Sequence, residues 1–260
     1  MSYIELDLSN SVNPFVPTDI TGCKLWLNGS EVVLDVNGDV VCWKDQSGTG
    51  HNYYQSVLAD RPHWTAAHAT FNNHPVVEFD AANTEAFNSL TTDAGPQPTD
   101  IMTDTAKEYF AVCRATTATA LGAFFNATTG ILSGHSGTYG VHIASNAGVP
   151  TAIIGNWDGT NDQLNLPYTS FSSPVLIAGR HNGTDIRGSL NGGTEATPVN
   201  SGTTTVFSTS TTLGQSPQGA GTYLTGQIAE IIVYNAIMTA GQRNQVIAYL
   251  MHKYNLSSSP

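Results

Sequence analysis

From Gly22 onward the chain is cut into short apolar runs separated by turn residues, and almost nothing in it repeats at helical spacing. These runs stand at 23–27, 32–34, 40–43, 76–79, 109–114, 131–133, 139–143, 151–156, 175–181, 185–190 and 227–235. Runs this short, bounded by Gly, Asn, Thr and Pro, build the strands of a β sandwich. Asn37-Gly38 and Asn182-Gly183 each lie between two such runs. Asn-Gly supplies the positive φ angles of tight hairpin turns, so a hairpin is expected at each. One helix is expected, over residues 240–254. Thr239 and Gln242 form a capping box at its start, and Val246, Tyr249, Leu250 and Tyr254 recur at helical spacing. The expected fold class is all-β, a two-sheet antiparallel sandwich with one C-terminal α-helix.

The surface chemistry agrees. Charged residues make up only 11% of the chain, less than half of the roughly 25% usual in soluble proteins. Thr, Ser, Asn, Gln and Gly must cover the surface instead, which favours strands and turns and excludes a coiled coil. A formal net charge of -11 repels phosphate backbones and anionic lipid, so no nucleic-acid partner is expected. No window approaches the roughly 18 apolar residues of a membrane span, and the first 20 residues show neither a basic region nor a long apolar run that would mark a signal peptide. Cys23, Cys42 and Cys113 are too sparse for a disulfide scaffold and read as buried free thiols of a chain made in a reducing cytoplasm.

Residues 1–21 read as an N-terminal arm, and residues 22–260 as one domain that includes the helix. Pro14 and Pro17 make the arm a poor internal strand. Tyr3, Ile4, Leu6, Leu8, Phe15 and Val16 give it apolar surface that gains from burial, which marks them as candidate subunit contacts.

Several stretches, taken in order, carry a resemblance. They are LWLNGSE at 25–31, VVCWKDQSGTGHN at 40–52, ADRP at 59–62, HPVVEFDAAN at 74–83, LIAGRHNGTDIRGSLNG at 176–192 and the closing segment at 226–256. Together they resemble the LamG-like jelly-roll domains of the concanavalin A-like lectin/glucanase superfamily, found in phage virion proteins and bacterial surface proteins. Asn28 departs from the pattern, since such domains often carry Asp after the Leu-Trp-Leu run. The resemblance implies a jelly roll with rim loops free for binding, and calcium as an ion that such loops often hold; otherwise no cofactor is expected.

Catalytic signatures are incomplete. Glu78 and Asp80, two apart on a strand, match the E-x-D part of a glucanase motif, but Ala82 and Asn83 stand where a second glutamate would follow. The structural alternative puts Glu78 on an exposed face and Asp80 at the cap of the next turn. Gly134-His135-Ser136-Gly137 brings a His beside a Ser, yet adjacent strand residues point to opposite faces, so it reads as a turn. His51, His63, His68 and His74 have gaps of 12, 5 and 6, which match no structural zinc spacing. Asp35, Asn37 and Asp39 resemble half of an EF-hand loop, but Gln46 stands where the closing glutamate belongs. No metal site is expected. Trp157, Asp158, Asn161 and Asp162 put an aromatic face among amides and carboxylates in an expected loop, which makes them the candidate glycan-binding residues.

These readings point to a non-enzymatic virion structural protein, a phage capsid-decorating or tail surface protein, whose arm attaches it to other virion proteins and whose lectin-like domain contacts cell-surface glycans. It would be assembled in the host cytoplasm and displayed on the virion surface. The first alternative is a carbohydrate-binding module of a bacterial surface or secreted protein, with an extracellular location. The second is a glycosidase of the glucanase type.

Overall fold

The fold is taken from a computed structural model, which describes residues 14–88, 106–116, 122–128, 136–146, 149–158, 161–200, 210–215 and 223–258. In chain order the strands are β1 Cys23–Asn28, β2 Val32–Leu34, β3 Val40–Trp43, β4 Tyr53–Tyr54, β5 His63–His68, β6 His74–Phe79, β7 Phe87–Asn88, β8 Ala106–Ala115 and β9 Gly122–Thr128. They continue with β10 Ser136–Asn146, β11 Val149–Asp158, β12 Asn161–Pro167, β13 Val175–Asn182, β14 Asp185–Leu190, β15 Val199–Asn200, β16 Ser210–Leu213 and β17 Gly226–Tyr234, and helix α1 Ala240–Lys253 follows. The strand expected at 131–133 lies outside the described residues.

The strands form three antiparallel sheets. The first runs β15-β14-β13-β8-β17-β6-β5 with β1 also on β17, the second β12-β11-β10-β9-β16-β7, and the third β2-β3-β4. Alternation along β8 shows what each face of the first sheet does. Tyr109, Ala111, Cys113 and Ala115 join a core shared with Ile154 and Leu164 of the second sheet. Phe110 and Val112, one step out of phase, join a second core with Val246 and Leu250 of α1. Successive strand residues point to opposite faces, so the central strands must be apolar throughout. All nine residues of β17 are indeed buried.

One edge of β17 is divided between two neighbours. Its start, Gly226 to Ile228, pairs with β6, and Glu230 to Tyr234 pair with β1. Gly29 sits at the handover, where a Cβ would overlap the Pro75 carbonyl. This division leaves the β5-β6-β17-β8 end of the sheet as a separate rim.

The two Asn-Gly hairpins lie where expected, but their geometry differs. Gly38 and Gly183 have φ of +88° and +97°, whereas Asn37 and Asn182 do not enter the positive region. Side chains define these turns instead. Asp35 Oδ1 accepts from Asn37 N at 2.8 Å and Asp39 N at 3.1 Å, and Asn182 Oδ1 accepts from Thr184 N at 3.0 Å and Asp185 N at 2.7 Å. A local acceptor thus makes one left-handed residue sufficient.

Helix α1 begins one turn-chemistry signal after the last strand. Thr239 N donates to Gln242 Oε1 at 3.0 Å and Gln242 N donates to Thr239 Oγ1 at 3.3 Å, completing the capping box. Arg243 fixes the helix start to the sheet by donating to the buried Glu108 carboxylate at 2.8 and 2.6 Å.

Candidate functional site

Directly opposed residues of antiparallel strands share a sheet face. His63 is opposite Glu78, Glu78 opposite Gln227, and Gln227 opposite Arg114. The four side chains therefore form one polar row across β5, β6, β17 and β8. Glu78 is two residues from Val76, which belongs to the α1-side core, so the row lies on that face of the sheet.

The row is held by its own hydrogen bonds. Arg114 Nε donates to Gln227 Oε1 at 2.8 Å, Gln227 Nε2 donates to Glu78 Oε2 at 3.2 Å, and Thr65 Oγ1 donates to Glu78 Oε1. His63 Nδ1 lies 3.1 Å from Asp39 Oδ1. Arg114, Gln227 and Glu78 thus form one linked chain, while His63 is held by Asp39.

Beyond Glu78 the chain turns back on itself. Asp80 Oδ1 accepts from Ala82 N at 2.9 Å and caps the short 3-10 turn Ala81–Asn83, after which Thr84 takes a φ of +58°. Asp80 is therefore the cap that the structural alternative foresaw. The return brings in Glu85, whose Oε2 accepts from Asp80 N at 2.7 Å and whose Oε1 accepts from Asn83 Nδ2 at 3.1 Å. Glu85 is only 8% exposed, and this burial raises its carboxyl above the ordinary range. A third acid, Glu85, thus lines the same cavity as Glu78 and Asp80. It was missed because the motif was tested at fixed spacing, while a 3-10 turn returns a residue five positions past Asp80.

Glu78, Asp80, Asn83, Glu85, His63, Thr116 and Gln227 line a cavity of about 380 Å³. A second cavity of about 520 Å³ is lined by Arg114, Thr116, Pro150, Thr169, Ser170, Phe171 and Ser172, and the two meet at Thr116. Carboxylates, amides, hydroxyls and one guanidinium along such a cleft offer both donors and acceptors to a polyhydroxylated ligand.

The other sequence candidates fall elsewhere. Trp157 and Asp158 end β11, and Asn161 and Asp162 begin β12, with Trp157 opposite Asn161 and Asn156 opposite Asp162. What was expected as a loop is, in its described residues, a paired hairpin end on the second sheet. Asp35 gives Oδ1 to its turn and Oδ2 to Arg61 at 3.0 Å, so the half EF-hand pattern is a braced hairpin. Among the described residues no group of three His, Cys, Asp or Glu is placed to hold a metal ion. Asn28 keeps a hydrogen-bonding role despite its departure from the family pattern, since Oδ1 accepts from Ser30 N at 2.9 Å. In the arm, Tyr3, Ile4, Leu6 and Leu8 lie outside the described residues. The Phe15 ring stands edge-on to Tyr249 at 5.7 Å, Tyr234 OH donates to Pro17 O at 2.9 Å, and Val16 remains 36% exposed.

No known sequence family matches the chain, and no curated protein does. Solved structures share the fold. An arabinofuranosidase complexed with arabinofuranosyl-α-1,2-xylobiose matches 83% of this chain and 51% of its own, with a TM-score of 0.58 and 14% identity. A GH54 α-L-arabinofuranosidase soaked with a cyclic sulfate inhibitor matches 85% and 53%, with a TM-score of 0.58 and 14% identity. A Trypanosoma rangeli sialidase in complex with 2,3-difluorosialic acid matches 90% and 33%, with a TM-score of 0.53 and 10% identity. The chain spans about half the length of the two arabinofuranosidases. At these identities the likeness shows the fold alone. It nevertheless overturns the expectation of a non-enzymatic virion structural protein. That expectation rested on the missing signal-peptide pattern, the odd number of cysteines and the N-terminal arm, whereas these three matching structures are glycosidases. Neither the virion role nor the exclusion of catalysis is carried forward.

Proposed function

We propose that the chain is a glycan-recognising domain with the jelly-roll topology of the concanavalin A-like superfamily, and that its cleft is the one built on Glu78 and Gln227. The observation that carries this reading is the hydrogen-bonded row from Arg114 through Gln227 to Glu78, opening on the cavity that also holds Asp80, Asn83 and Glu85. Sugar hydroxyls both donate and accept. A row of carboxylate, amide and guanidinium whose side chains are already fixed loses little freedom on binding them. Fold likeness to carbohydrate-active domains supports the same class of ligand. A glycan array followed by calorimetry on the best ligand tests it, with Gln227→Ala expected to weaken binding about tenfold or more. A broad array on which the folded protein retains nothing overturns it.

Glu85 favours a second reading, glycoside hydrolysis. A carboxyl whose burial raises its pKa, beside a second carboxylate in the same cleft, is the pairing that acid-assisted cleavage uses, with Glu85 as the general acid and Glu78 as the partner. Arabinose release from arabinofuranosyl xylo-oligosaccharides, lost in Glu85→Gln while the variant stays folded, would support this. No turnover of any glycoside by the wild-type protein would leave recognition alone.

A further inference from the structure

Among the described residues that line the second cavity, Arg114 alone is ionisable, and Thr116, Thr169, Ser170 and Ser172 supply the polar remainder. This is notable in a chain whose 20 acids outnumber its nine Lys and Arg. The guanidinium is only partly used. Nε is engaged with Gln227 at 2.8 Å, Nη1 makes two contacts at 3.4 Å to Thr70 Oγ1 and Ser172 O, and Nη2 has no hydrogen-bond partner among the described residues. The Nε bond fixes the plane of the guanidinium.

Beside it, Ser172 N donates to Ser170 Oγ at 3.0 Å and the two hydroxyls are 2.6 Å apart, which shapes the 170–172 turn. Phe171 stands edge-on to Tyr168 at 6.2 Å, so its ring is held while it lines the same cavity. A fixed aromatic surface next to a half-used guanidinium fits a sugar ring that carries a carboxylate: the ring's apolar face lies on Phe171 and the carboxylate takes the free N–H groups in the fork geometry that Arg provides.

The net charge does not forbid this. At physiological salt the screening length is about 8 Å. Glu78 reaches Arg114 through the Gln227 amide, which accepts from Arg114 Nε at 2.8 Å and donates to Glu78 Oε2 at 3.2 Å, so its charge acts on the guanidinium from the side of the row, while the described lining of this cavity carries no acid.

Resting on the glycan reading above, we infer that the Arg114 cavity is a subsite for an acidic sugar, with Arg114 receiving the carboxylate of a uronic or sialic acid unit next to the Glu78 cleft. The chemistry shared by both sources is a carboxylate on a sugar ring.

Calorimetry on the wild-type full chain with trigalacturonic acid and with sialyllactose, each beside its carboxyl-reduced counterpart, tests the inference without any variant. At least one acid form should bind about tenfold or more tightly than its reduced form, and the acid that does so identifies the source. Arg114→Lys, which keeps the charge but loses the fork, should erase most of that difference, and thermal melting reports whether it is folded. Equal binding of acid and reduced forms to the wild-type protein overturns the subsite and leaves glycan recognition standing. Tighter binding of the acid form that survives in folded Arg114→Lys and Arg114→Gln also overturns it. Failure of all four sugars and of the broad array overturns both readings.

Discussion

Lys253 Nζ lies 2.7 Å from Glu230 Oε2, and Glu230 has no exposure to solvent. Three other donors meet the same carboxylate: Trp26 Nε1 at 2.7 Å, Tyr249 OH at 2.9 Å and Tyr254 OH at 2.8 Å. A buried anion is tolerated only when its lone pairs are filled. Glu230 thus ties the last turn of α1 to β17, and β17 to β1, through one group. The same anion raises the phenol pKa values of Tyr249 and Tyr254, on top of the larger effect of their burial, and so keeps both as donors.

Removing the cation should therefore cost more than a surface ion pair would. Lys253→Met leaves Glu230 buried with its charge unpaired, and a loss of about 3 kcal/mol is expected. Adding Glu230→Gln to that variant removes the charge and should restore part of the loss. Urea denaturation measures both, and a single variant with an unchanged midpoint would mean that water reaches the carboxylate.

Gly226 is where backbone approach sets the site. A Cβ there would overlap the Arg114 carbonyl and press on Ala115, both of them backbone atoms that cannot swing aside. Gly226→Ala should separate β17 from β8 at the point where Gln227 meets Arg114, with a loss of about 3 kcal/mol. Glycan binding should fall with it. A variant of wild-type stability would show that the two strands can shift apart freely.

Much of the fold was legible because the buried strands are apolar along their whole length. Residues 227–235 stand out in sequence since β17 has core on both sides. Strand β5, HWTAAH, could not be read, because it is an edge strand of mostly exposed or half-buried residues that leave no alternation. The capping box at Thr239 and Gln242 was visible because both partners are local. The site was not visible for the opposite reason. Glu78, Gln227 and Arg114 are far apart in sequence and become neighbours only through β-ladder register, which no single segment encodes. Glu85 was hidden by a turn whose length no fixed motif anticipates.

The described part of the arm makes a further test. Phe15 packs edge-on against Tyr249 and is partly buried against the α1-side core. Phe15→Ala should lower stability by about 1 to 2 kcal/mol, less than for a fully buried ring. Calorimetric melting of the isolated protein checks this. An unchanged melting temperature combined with lost self-association would instead assign Phe15 to a contact between subunits.

Glu85 and Glu195 predict opposite responses to pH. Burial raises the Glu85 carboxyl, so the folded state holds that proton more tightly than the unfolded chain. Its ionisation therefore costs stability, and the cost grows as pH rises from the ordinary carboxylate value through the raised folded one. Glu195 is shifted down by its hydrogen bond to Arg180, at 2.7 and 2.8 Å; its contribution is present above the ordinary carboxylate value and is lost as pH falls through the lowered one. Urea melts over a pH range that runs to either side of the ordinary carboxylate value separate the two. Relative to wild type, Glu85→Gln should gain stability as pH rises through the upper part of that range, and Glu195→Gln should lose it as pH rises through the lower part. A Glu85→Gln difference that stays flat with pH would show that the carboxyl is solvated in the folded protein, and the second reading of the site would lose its acid.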